Sequence, residues 1–309
     1  MRSLALLCAL ALTTGCKDKS AARTAFSGQT AIGYVKTQLD MGPRIPGTEG
    51  HRRTGDWIVA EMRKRADTVI VQEWTHVTAK GDSLPMRNII ARFRPAETAR
   101  VLYVTHWDTR PTSDEAGTPA QRQLPVPGAN DGASGVALFL ALGDVLHTTP
   151  PRFGVDLLFV DGEYYGDFGK DEDVLIGSKY FAEHLPSPDY RPIFGVLWDM
   201  IGDRDLQIYQ ETNSVQAAPE VVARVWGEAE EMGYGDYFIP KVEYSLIDDH
   251  MPLIAKGLRV IDVIDYYYPN ADATANGRGF HHTPDDRLDK VSAASLQIVG
   301  DVATGLVTR

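Results

Sequence analysis

DLLFVDGEYYGDFG, residues 156–169, decides the fold class of this chain. The apolar run near its start predicts a buried strand, and the acid-glycine-acid sequence that follows marks the end of that strand. Similar apolar runs, several of them ending in polar residues, recur along the chain. They predict further strands at residues 69–74, 88–93, 101–106, 193–200, 206–209 and 258–265.

Helix-forming stretches lie between these strands. Apolar residues at a spacing of three to four predict helices at residues 47–65, 135–146, 176–185, 219–232 and 292–307. Alternation of strands and helices is typical of an α/β fold, in which helices cover both faces of a mostly parallel sheet. Because no linker-like segment or charge block interrupts the pattern, we expect residues 21–309 to form one domain.

The N-terminus has the pattern of an export signal. Arg2 precedes the apolar run at residues 4–12, which is too short to span a bilayer, and small residues precede Cys16. This ending resembles a bacterial lipobox, after which the mature lipoprotein begins with a lipidated cysteine. We therefore predict that residues 1–20 are a lipoprotein signal and tether, which anchors the exported protein in the periplasm or cell envelope through Cys16. A plain secretory signal cut nearby is the alternative.

Charge and cysteine content narrow the possible functions. The net charge of -11 disfavours nucleic acid as a partner and leaves the lipid on Cys16 as the only expected membrane contact. Both cysteines, Cys8 and Cys16, lie in the predicted leader, so the exported domain has no thiol. A thiol nucleophile is therefore excluded, and a metal site would consist of histidine and carboxylate ligands.

Acids and histidines follow the predicted strands at the positions where ligands bind in α/β proteins. In open sheets these positions lie beyond the carboxyl ends of the strands. His106, Glu163 and Asp199 end or follow three predicted strands, while Asp131 lies in the loop that opens the next helix and His282 lies in the loop after residues 258–265. Each residue alone has an ordinary explanation, as a helix cap, a turn residue or a core histidine.

Three further acidic positions also have structural explanations. Asp161 is most simply a cap or turn residue, and the two aspartates at residues 285–286 suggest a surface turn or cap before the last helix. The aspartates and histidine at residues 248–250 would either cap a short helix or act near the site as proton carriers or supporting residues.

Taken together, these groups point to a metal ion. Carboxylates crowded on one edge of a sheet repel one another and are costly to desolvate, and a divalent cation offsets both effects. Histidine and carboxylate ligands without cysteine are typical of catalytic rather than structural zinc. We therefore expect Zn²⁺ as the cofactor.

The order of these motifs resembles that of the zinc-dependent exopeptidase (aminopeptidase) superfamily, closest to its glutaminyl-peptide cyclotransferase branch. The motifs are His106-x-Asp108, Asn130-Asp131-Gly-Ala-Ser-Gly, Asp161-Gly-Glu163, Gly177-Ser178, Leu-Trp-Asp199-Met-Ile-Gly, Asp248-Asp249-His250-x-Pro and His282-Thr-Pro-Asp-Asp. The resemblance extends from about residue 31 to the C-terminus. It implies a three-layer α/β/α fold with a mixed, mostly parallel central sheet.

Carried over by position, the resemblance implies a role for each of five residues. Asp131 and His282 correspond to metal ligands, and Glu163 corresponds to the catalytic proton carrier. In two-metal aminopeptidases His106 and Asp199 would bind a second zinc, with Asp131 as the bridge. In the one-zinc cyclases, Asp199 instead acts catalytically beside the substrate.

The acidic residue at position 248 favours the cyclase, because in the family aminopeptidases commonly have serine before the Asp-His pair, whereas cyclases have this acid. We therefore predict a zinc-dependent glutaminyl-peptide cyclotransferase, in which Asp248 acts with Asp199. The α-amine of an N-terminal glutamine would attack its own side-chain amide, while Glu163 moves the proton and ammonia leaves. The alternatives are a zinc aminopeptidase, in which Glu163 activates water, and a metal-poor, non-catalytic lipoprotein that binds peptides. Peptide or protein N-termini are the expected partners.

Tyr164 departs from the family pattern, which has a second zinc-binding carboxylate directly after the catalytic glutamate. The two remaining ligands, Asp131 and His282, are too few for zinc. The missing ligand could be the Tyr164 phenolate or Asp167, or the ion could shift to the set of His106, Asp131 and Asp199. Alternatively, Tyr164 is an aromatic pocket wall in a protein with weakened activity.

Overall fold

The computed structural model describes residues 23–266, 268 and 279–309. The predicted leader at residues 1–20, which includes Cys16, lies outside the described residues. Lipidation and export therefore stay predictions.

Within the described part of the chain, eight strands and eight α-helices alternate. The strands are β1 (Thr68–Val77), β2 (Ser83–Phe93), β3 (Arg100–His106), β4 (Gly154–Val160), β5 (Phe194–Asp199), β6 (Ile208–Glu211), β7 (Phe238–Tyr244) and β8 (Val260–Ile264). The helices are α1 (Gly28–Asp40), α2 (Glu49–Met62), α3 (Ala133–Thr148), α4 (Ile176–Glu183), α5 (Thr212–Ala217), α6 (Pro219–Glu231), α7 (His250–Ala255) and α8 (Ala293–Thr308).

Six strands form the central sheet in the order β1-β2-β4-β3-β5-β8. Strands β4, β3, β5 and β8 are parallel, whereas β2 pairs antiparallel with both β1 and β4. The predicted mixed, mostly parallel sheet is therefore confirmed. All seven predicted strands form, but β6 pairs with β7 in a separate two-stranded sheet rather than joining the central one.

Both faces of the central sheet are buried, because its side chains alternate between two cores. On β3, Val101 and Tyr103 belong to the larger core, which also contains apolar residues of α1, α2, α3, α6 and α8. Leu102 and Val104 face the opposite way and pack with residues of α4 and α7. The fold therefore has three layers, with the sheet between two layers of helices. Because successive side chains of a strand point to opposite faces, each strand contributes to both cores.

The parallel strands bring their carboxyl ends to one edge of the sheet. At that edge β3 ends at His106 and β5 ends at Asp199, while β4 leads into Glu163. This is the edge at which α/β proteins bind ligands. In the described part of the chain, no helix has the length and apolar character needed to cross a membrane.

Candidate metal and catalytic site

His106, Asp131 and Asp199 form a compact buried cluster at this edge. The Nε2 atom of His106 lies 3.0 Å from Asp131 Oδ1 and 3.1 Å from Asp199 Oδ1. One ligand atom from each of the three residues lies within 4.8 Å of those of the other two. The exposed fraction is 0% for His106 and Asp199 and 3% for Asp131, so water does not screen these charges.

Local sequence places each of the three residues. His106 and Asp199 are the last residues of β3 and β5, two neighbouring parallel strands. Asp131 lies in the loop before α3, and Gly132 allows this loop to approach the imidazole closely. A Cβ atom at Gly132 would lie 2.6 Å from His106 Cε1, so a larger residue would push Asp131 away from the cluster.

Asp131 does not cap α3, because the N-cap residue is Gly132 and no side chain caps this helix. Both carboxylate oxygens of Asp131 are buried and make no hydrogen bond within the described residues, and the same holds for Asp199 Oδ2. Buried carboxylate oxygens without a donor are costly unless a cation or a proton compensates them. The cluster therefore fits a divalent cation held by one imidazole and two carboxylates.

The pKa shifts of His106 and Asp199 indicate the same need for positive charge. Although burial alone would lower it, the charge of Glu163 and contacts with neighbouring aspartates raise the pKa of His106 well above its usual range. Burial raises the pKa of Asp199 to about 6, despite the favourable contact with His106. Both shifts come from crowding and burial of negative charge, which a bound cation would offset.

Glu163 and Asp248 form an acid pair beside the metal cluster. Their carboxylates and that of Asp249 each place one oxygen within 4.8 Å of the other two, and all three residues are buried. Glu163 Oε2 also lies 3.5 Å from His106 Nδ1. Burial, with an added contribution from the charge of Asp248, raises the pKa of Glu163 well above that of an ordinary carboxyl. Asp249 is at the N-cap position of α7, but no side chain caps that helix.

His282 reaches the cluster from the loop before α8. Its Nε2 atom lies 3.4 Å from Asp131 Oδ2, and its Nδ1 atom lies 3.6 Å from Asp114 Oδ1. His282 has a φ of 49°, a left-handed backbone conformation that costs roughly 1–3 kcal/mol in a non-glycine residue. The fold thus holds this imidazole against Asp131 at a cost in backbone strain.

Tyr164 lies between the two histidines as a buried wall. Its ring centroid is 5.4 Å from that of His106 and 4.7 Å from that of His282, both in edge-to-face geometry. Burial, together with the charge of Asp131, raises the pKa of the phenol well above its usual value. The packing therefore favours a neutral aromatic wall over a phenolate ligand.

Asp167 does not reach the cluster. Its carboxylate is at the surface, where it pairs with Lys170 at 2.9 Å and accepts a hydrogen bond from the backbone N–H of Gly169. Its backbone pairs with Glu172 in a turn of the same loop. The prediction of Asp167 as a substitute metal ligand is therefore wrong for this conformation, since the turn directs its side chain to solvent and to Lys170.

Asp161 and Asp286 also differ from their predicted roles as caps or turn residues. The carboxylate of Asp161 lies 2.9 Å and 3.0 Å from His51 Nε2, and the His51 ring stacks on Trp107. Asp286 is fully buried, and its carboxylate accepts hydrogen bonds from the backbone N–H groups of Asn130 and Asp131. Two consecutive aspartates in a polar loop did not indicate that Asp286 would be buried.

Asp108 is a supporting residue that sequence reasoning noted only as part of a motif. Its Oδ1 atom accepts a hydrogen bond from the backbone N–H of Glu163 at 3.1 Å and lies 3.6 Å from His106 Nδ1. One carboxylate thus contacts both the His106 imidazole and the backbone of Glu163. The His-x-Asp spacing, which places both polar groups beyond β3, was the available signal.

A cleft of about 340 Å³ adjoins the site, and its lining includes Tyr164, Asp248, Tyr266 and His282. This volume is at the lower end for pockets that bind small molecules, and it suits one end of a peptide chain. A larger cleft of about 580 Å³ lies at His51 and Trp107, away from the metal cluster.

Comparisons with known proteins agree with this geometry. The model of Peptidase family M28 matches residues 88–307. The structure of Porphyromonas gingivalis glutaminyl cyclase is 37% identical with a TM-score of 0.86, and the match covers 91% of this chain and 97% of that one. A Zn-dependent exopeptidase from Parabacteroides distasonis is 32% identical with a TM-score of 0.85, over 92% and 98% of the two chains.

Aminopeptidase YwaD of Bacillus subtilis is 25% identical over 91% of this chain, which spans 57% of the length of that relative. These relatives support zinc as the metal and confirm the resemblance to zinc-dependent exopeptidases and glutaminyl cyclases. The family model matches well over half of the chain, including every residue of the cluster. The chain therefore belongs to Peptidase family M28 and is an enzyme.

Proposed function

We propose that this enzyme is a glutaminyl-peptide cyclotransferase, which converts an N-terminal glutamine to pyroglutamate and releases ammonia. The observation that carries the proposal is the buried pair of Glu163 and Asp248. The reaction needs a group that takes a proton from one nitrogen and gives it to another, and a carboxylate in a dry site is suited to both transfers.

In this reaction the α-amine nitrogen forms a bond to the side-chain amide carbon of the same glutamine. Glu163 accepts the proton that the amine loses and returns it to the amide nitrogen as that carbon–nitrogen bond breaks and ammonia leaves. Asp248, which lines the cleft, would hold the substrate amine and keep the proton within the acid pair. No water is consumed, so burial of the acid pair does not hinder cyclisation, whereas hydrolysis needs a water molecule beside it.

We propose that His106, Asp131 and Asp199 hold the zinc ion, with His282 as a further ligand through Nε2. This set replaces the carboxylate that Tyr164 lacks, because it offers three ligands without any contribution from residue 164. When bound, zinc would supply Lewis-acid polarisation of the substrate carbonyl. Tyr164 then confines the substrate between the two histidines rather than binding the metal.

Similarity supports the cyclase, since the Porphyromonas gingivalis glutaminyl cyclase matches this chain over nearly its full length. Another such enzyme, from Tannerella forsythia, matches with 34% identity and a TM-score of 0.86. The family also contains aminopeptidases, so similarity alone does not choose between the two reactions.

A zinc aminopeptidase is the second candidate, and one observation favours it. The set of His106, Asp131 and Asp199 is complete and compact, as expected where Asp199 binds metal rather than substrate. In that case Glu163, whose Oε2 atom lies 3.5 Å from His106 Nδ1, would take a proton from water instead of from the amine.

Mass spectrometry distinguishes the two reactions. The protein from residue 20 onward is loaded with zinc and incubated separately with a peptide that begins with glutamine and a matched peptide that begins with leucine. The proposal predicts loss of ammonia from the first peptide and no change in the second. Removal of the first residue from either peptide would establish the aminopeptidase instead, and unchanged peptides would contradict both candidates.

A further inference from the structure

The loop that carries Asp131 is held by buried polar side chains that the proposed reaction does not use. The first is Arg44, whose exposed fraction is 0%. Its guanidinium donates from Nη1 to the carbonyl of Pro127 at 2.7 Å and from Nη2 to that of Gly128 at 2.6 Å. A buried arginine that donates to several carbonyls fixes those carbonyls tightly, since losing the contacts would leave a buried charge unsatisfied.

Arg44 also holds the segment beyond β3. Its Nε atom donates to the carbonyl of Trp107, the residue after His106, at 3.3 Å. The backbone N–H of Arg44 donates to Thr109 Oγ1 at 2.9 Å, and its carbonyl accepts from the N–H of Thr109. One side chain therefore joins the His106 segment to the Asp131 loop.

Asp286 also holds this loop. Its Oδ1 and Oδ2 atoms accept hydrogen bonds from the backbone N–H groups of Asn130 at 2.8 Å and Asp131 at 3.1 Å. Its carbonyl accepts a third, from the N–H of Ala129. Because Asp286 lies in the loop of His282, it fixes the position of that histidine relative to Asp131.

Asn130 makes the third connection, to the segment beyond β5. Its Nδ2 atom donates to the carbonyl of Met200 at 3.1 Å, and its Oδ1 atom accepts from the N–H of Gly202 at 2.7 Å. Met200 directly follows Asp199 and has a left-handed φ of 47°. Arg44, Asp286 and Asn130 therefore connect the Asp131 loop to the segments of His106, His282 and Asp199.

The loop needs such support because the Asp131 carboxylate makes no hydrogen bond within the described residues. Two imidazole nitrogens lie beside it, His106 Nε2 at 3.0 Å and His282 Nε2 at 3.4 Å, and the backbone that carries Asp131 sets where its carboxylate meets them. The backbone at Gly128 packs closely against the Arg44 side chain. The φ of Gly128 is 71°, and an added Cβ would lie 2.7 Å from Arg44 Nη2. A metal ligand must be placed within about 0.5 Å of its productive position, so a rigid backbone here contributes directly to metal affinity.

We propose that Arg44, Asn130 and Asp286 are positioning residues that set the spacing of the metal ligands, and that their main contribution is to zinc affinity. This inference rests on the proposed metal site, but it does not depend on which of the two reactions takes place there. Replacing groups that orient metal ligands typically weakens metal binding 10- to 100-fold.

The test compares Arg44→Lys and Asp286→Asn with Arg100→Lys as the control. Arg100 is also buried and also donates to backbone carbonyls, among them those of Arg94 and Glu97, although it pairs with Asp156 as well. It begins β3, at the opposite end from His106. Zinc affinity is measured by competition with a chromophoric chelator, and the melting temperature is measured on the metal-free proteins.

We expect zinc to bind at least tenfold more weakly to Arg44→Lys and Asp286→Asn and with unchanged affinity to Arg100→Lys, while all three lose thermal stability. If Arg44→Lys does not fold, Asp286→Asn decides the question with the same criterion. Zinc affinity equal to wild type in the two variants, or an equal loss in the control, would overturn the positioning role alone. A wild-type protein that binds no zinc would overturn the proposed metal site and this inference with it.

Discussion

Replacing Tyr164 by aspartate should tighten zinc binding, because it adds a carboxylate where the family has one. In the wild-type protein the ring at this position is buried among the charges of Asp131, Glu163, Asp199 and Asp248. A carboxylate there joins a site that already lacks compensating positive charge. The metal-free variant should therefore be destabilised, and zinc binding should relieve the new repulsion.

The magnitude follows from two opposing effects. Loss of a buried aromatic side chain costs roughly 3–5 kcal/mol in the metal-free state, to which repulsion between carboxylates adds. If the added ligand tightens zinc binding about 100-fold, saturating zinc should stabilise the variant by about 2.7 kcal/mol more than it stabilises wild type. For a domain of this size, with an unfolding entropy of about 0.6 kcal/mol/K, that difference corresponds to roughly 4–5 °C in melting temperature.

The assay is differential scanning calorimetry of zinc-free and zinc-saturated protein, with zinc affinity measured separately by chelator competition. Tyr165→Asp is the matched control, because Tyr165 is half-buried and packs against Leu84 and Met86 rather than in the cluster. The prediction that residue 164 occupies a ligand position is refuted if Tyr164→Asp binds zinc no more tightly than wild type, or if the control gains equal affinity.

Three further changes test separate parts of the site. Glu163→Gln should reduce turnover by at least 10²-fold in a peptide assay while zinc affinity stays within a few-fold of wild type, because a proton carrier and not a ligand is lost; full turnover would exclude the assigned role. Asp248→Asn should lower turnover of the glutamine peptide more than it changes zinc affinity, and an equal effect on both would assign Asp248 to the metal. Asp167→Ala should leave zinc affinity unchanged, since the Asp167 carboxylate is at the surface, where it pairs with Lys170 instead of reaching the cluster; a tenfold loss would show that the loop rearranges to supply a ligand.

The layers of the fold and the edge that carries the site were predictable from the sequence. Strong apolar runs such as residues 101–106 gave the strands, and the polar residues after them marked the edge, because parallel strands end on the same side. The pairing of β6 with β7 was not predictable in this way. The charged and exposed sequence of β7 lacks a buried face, and a proline at position 240 further weakens its strand pattern.

The site residues were predictable where a residue type and its place after a strand pointed to the same role. His106, Asp131, Glu163 and Asp199 meet both conditions, and the structure brings them together. Residues 161 and 286 show why position alone is insufficient, because two acids in similar contexts have quite different partners. Such contacts join segments that are distant in the chain, and no local pattern encodes them.

The role of Tyr164 could not be decided from the sequence for the same reason. When a residue that does not bind metal occupies a ligand position, several other residues could supply the missing ligand. Only the packing shows which of them are within reach. Asp167 is three residues away in the chain but is turned to the surface, whereas His106 and Asp199 arrive from separate strands. The nearest candidate in sequence was therefore not the nearest in space.

The central claim is that a zinc ion binds between His106, Asp131 and Asp199, beside Glu163. The most direct test is a crystal structure of the zinc-loaded protein with anomalous diffraction data collected on both sides of the zinc absorption edge. The account predicts one strong anomalous peak within about 2.0–2.2 Å of ligand atoms from all three residues. A peak held elsewhere, for example by Glu115 and His281, or no peak at a zinc concentration that supports activity, would contradict it.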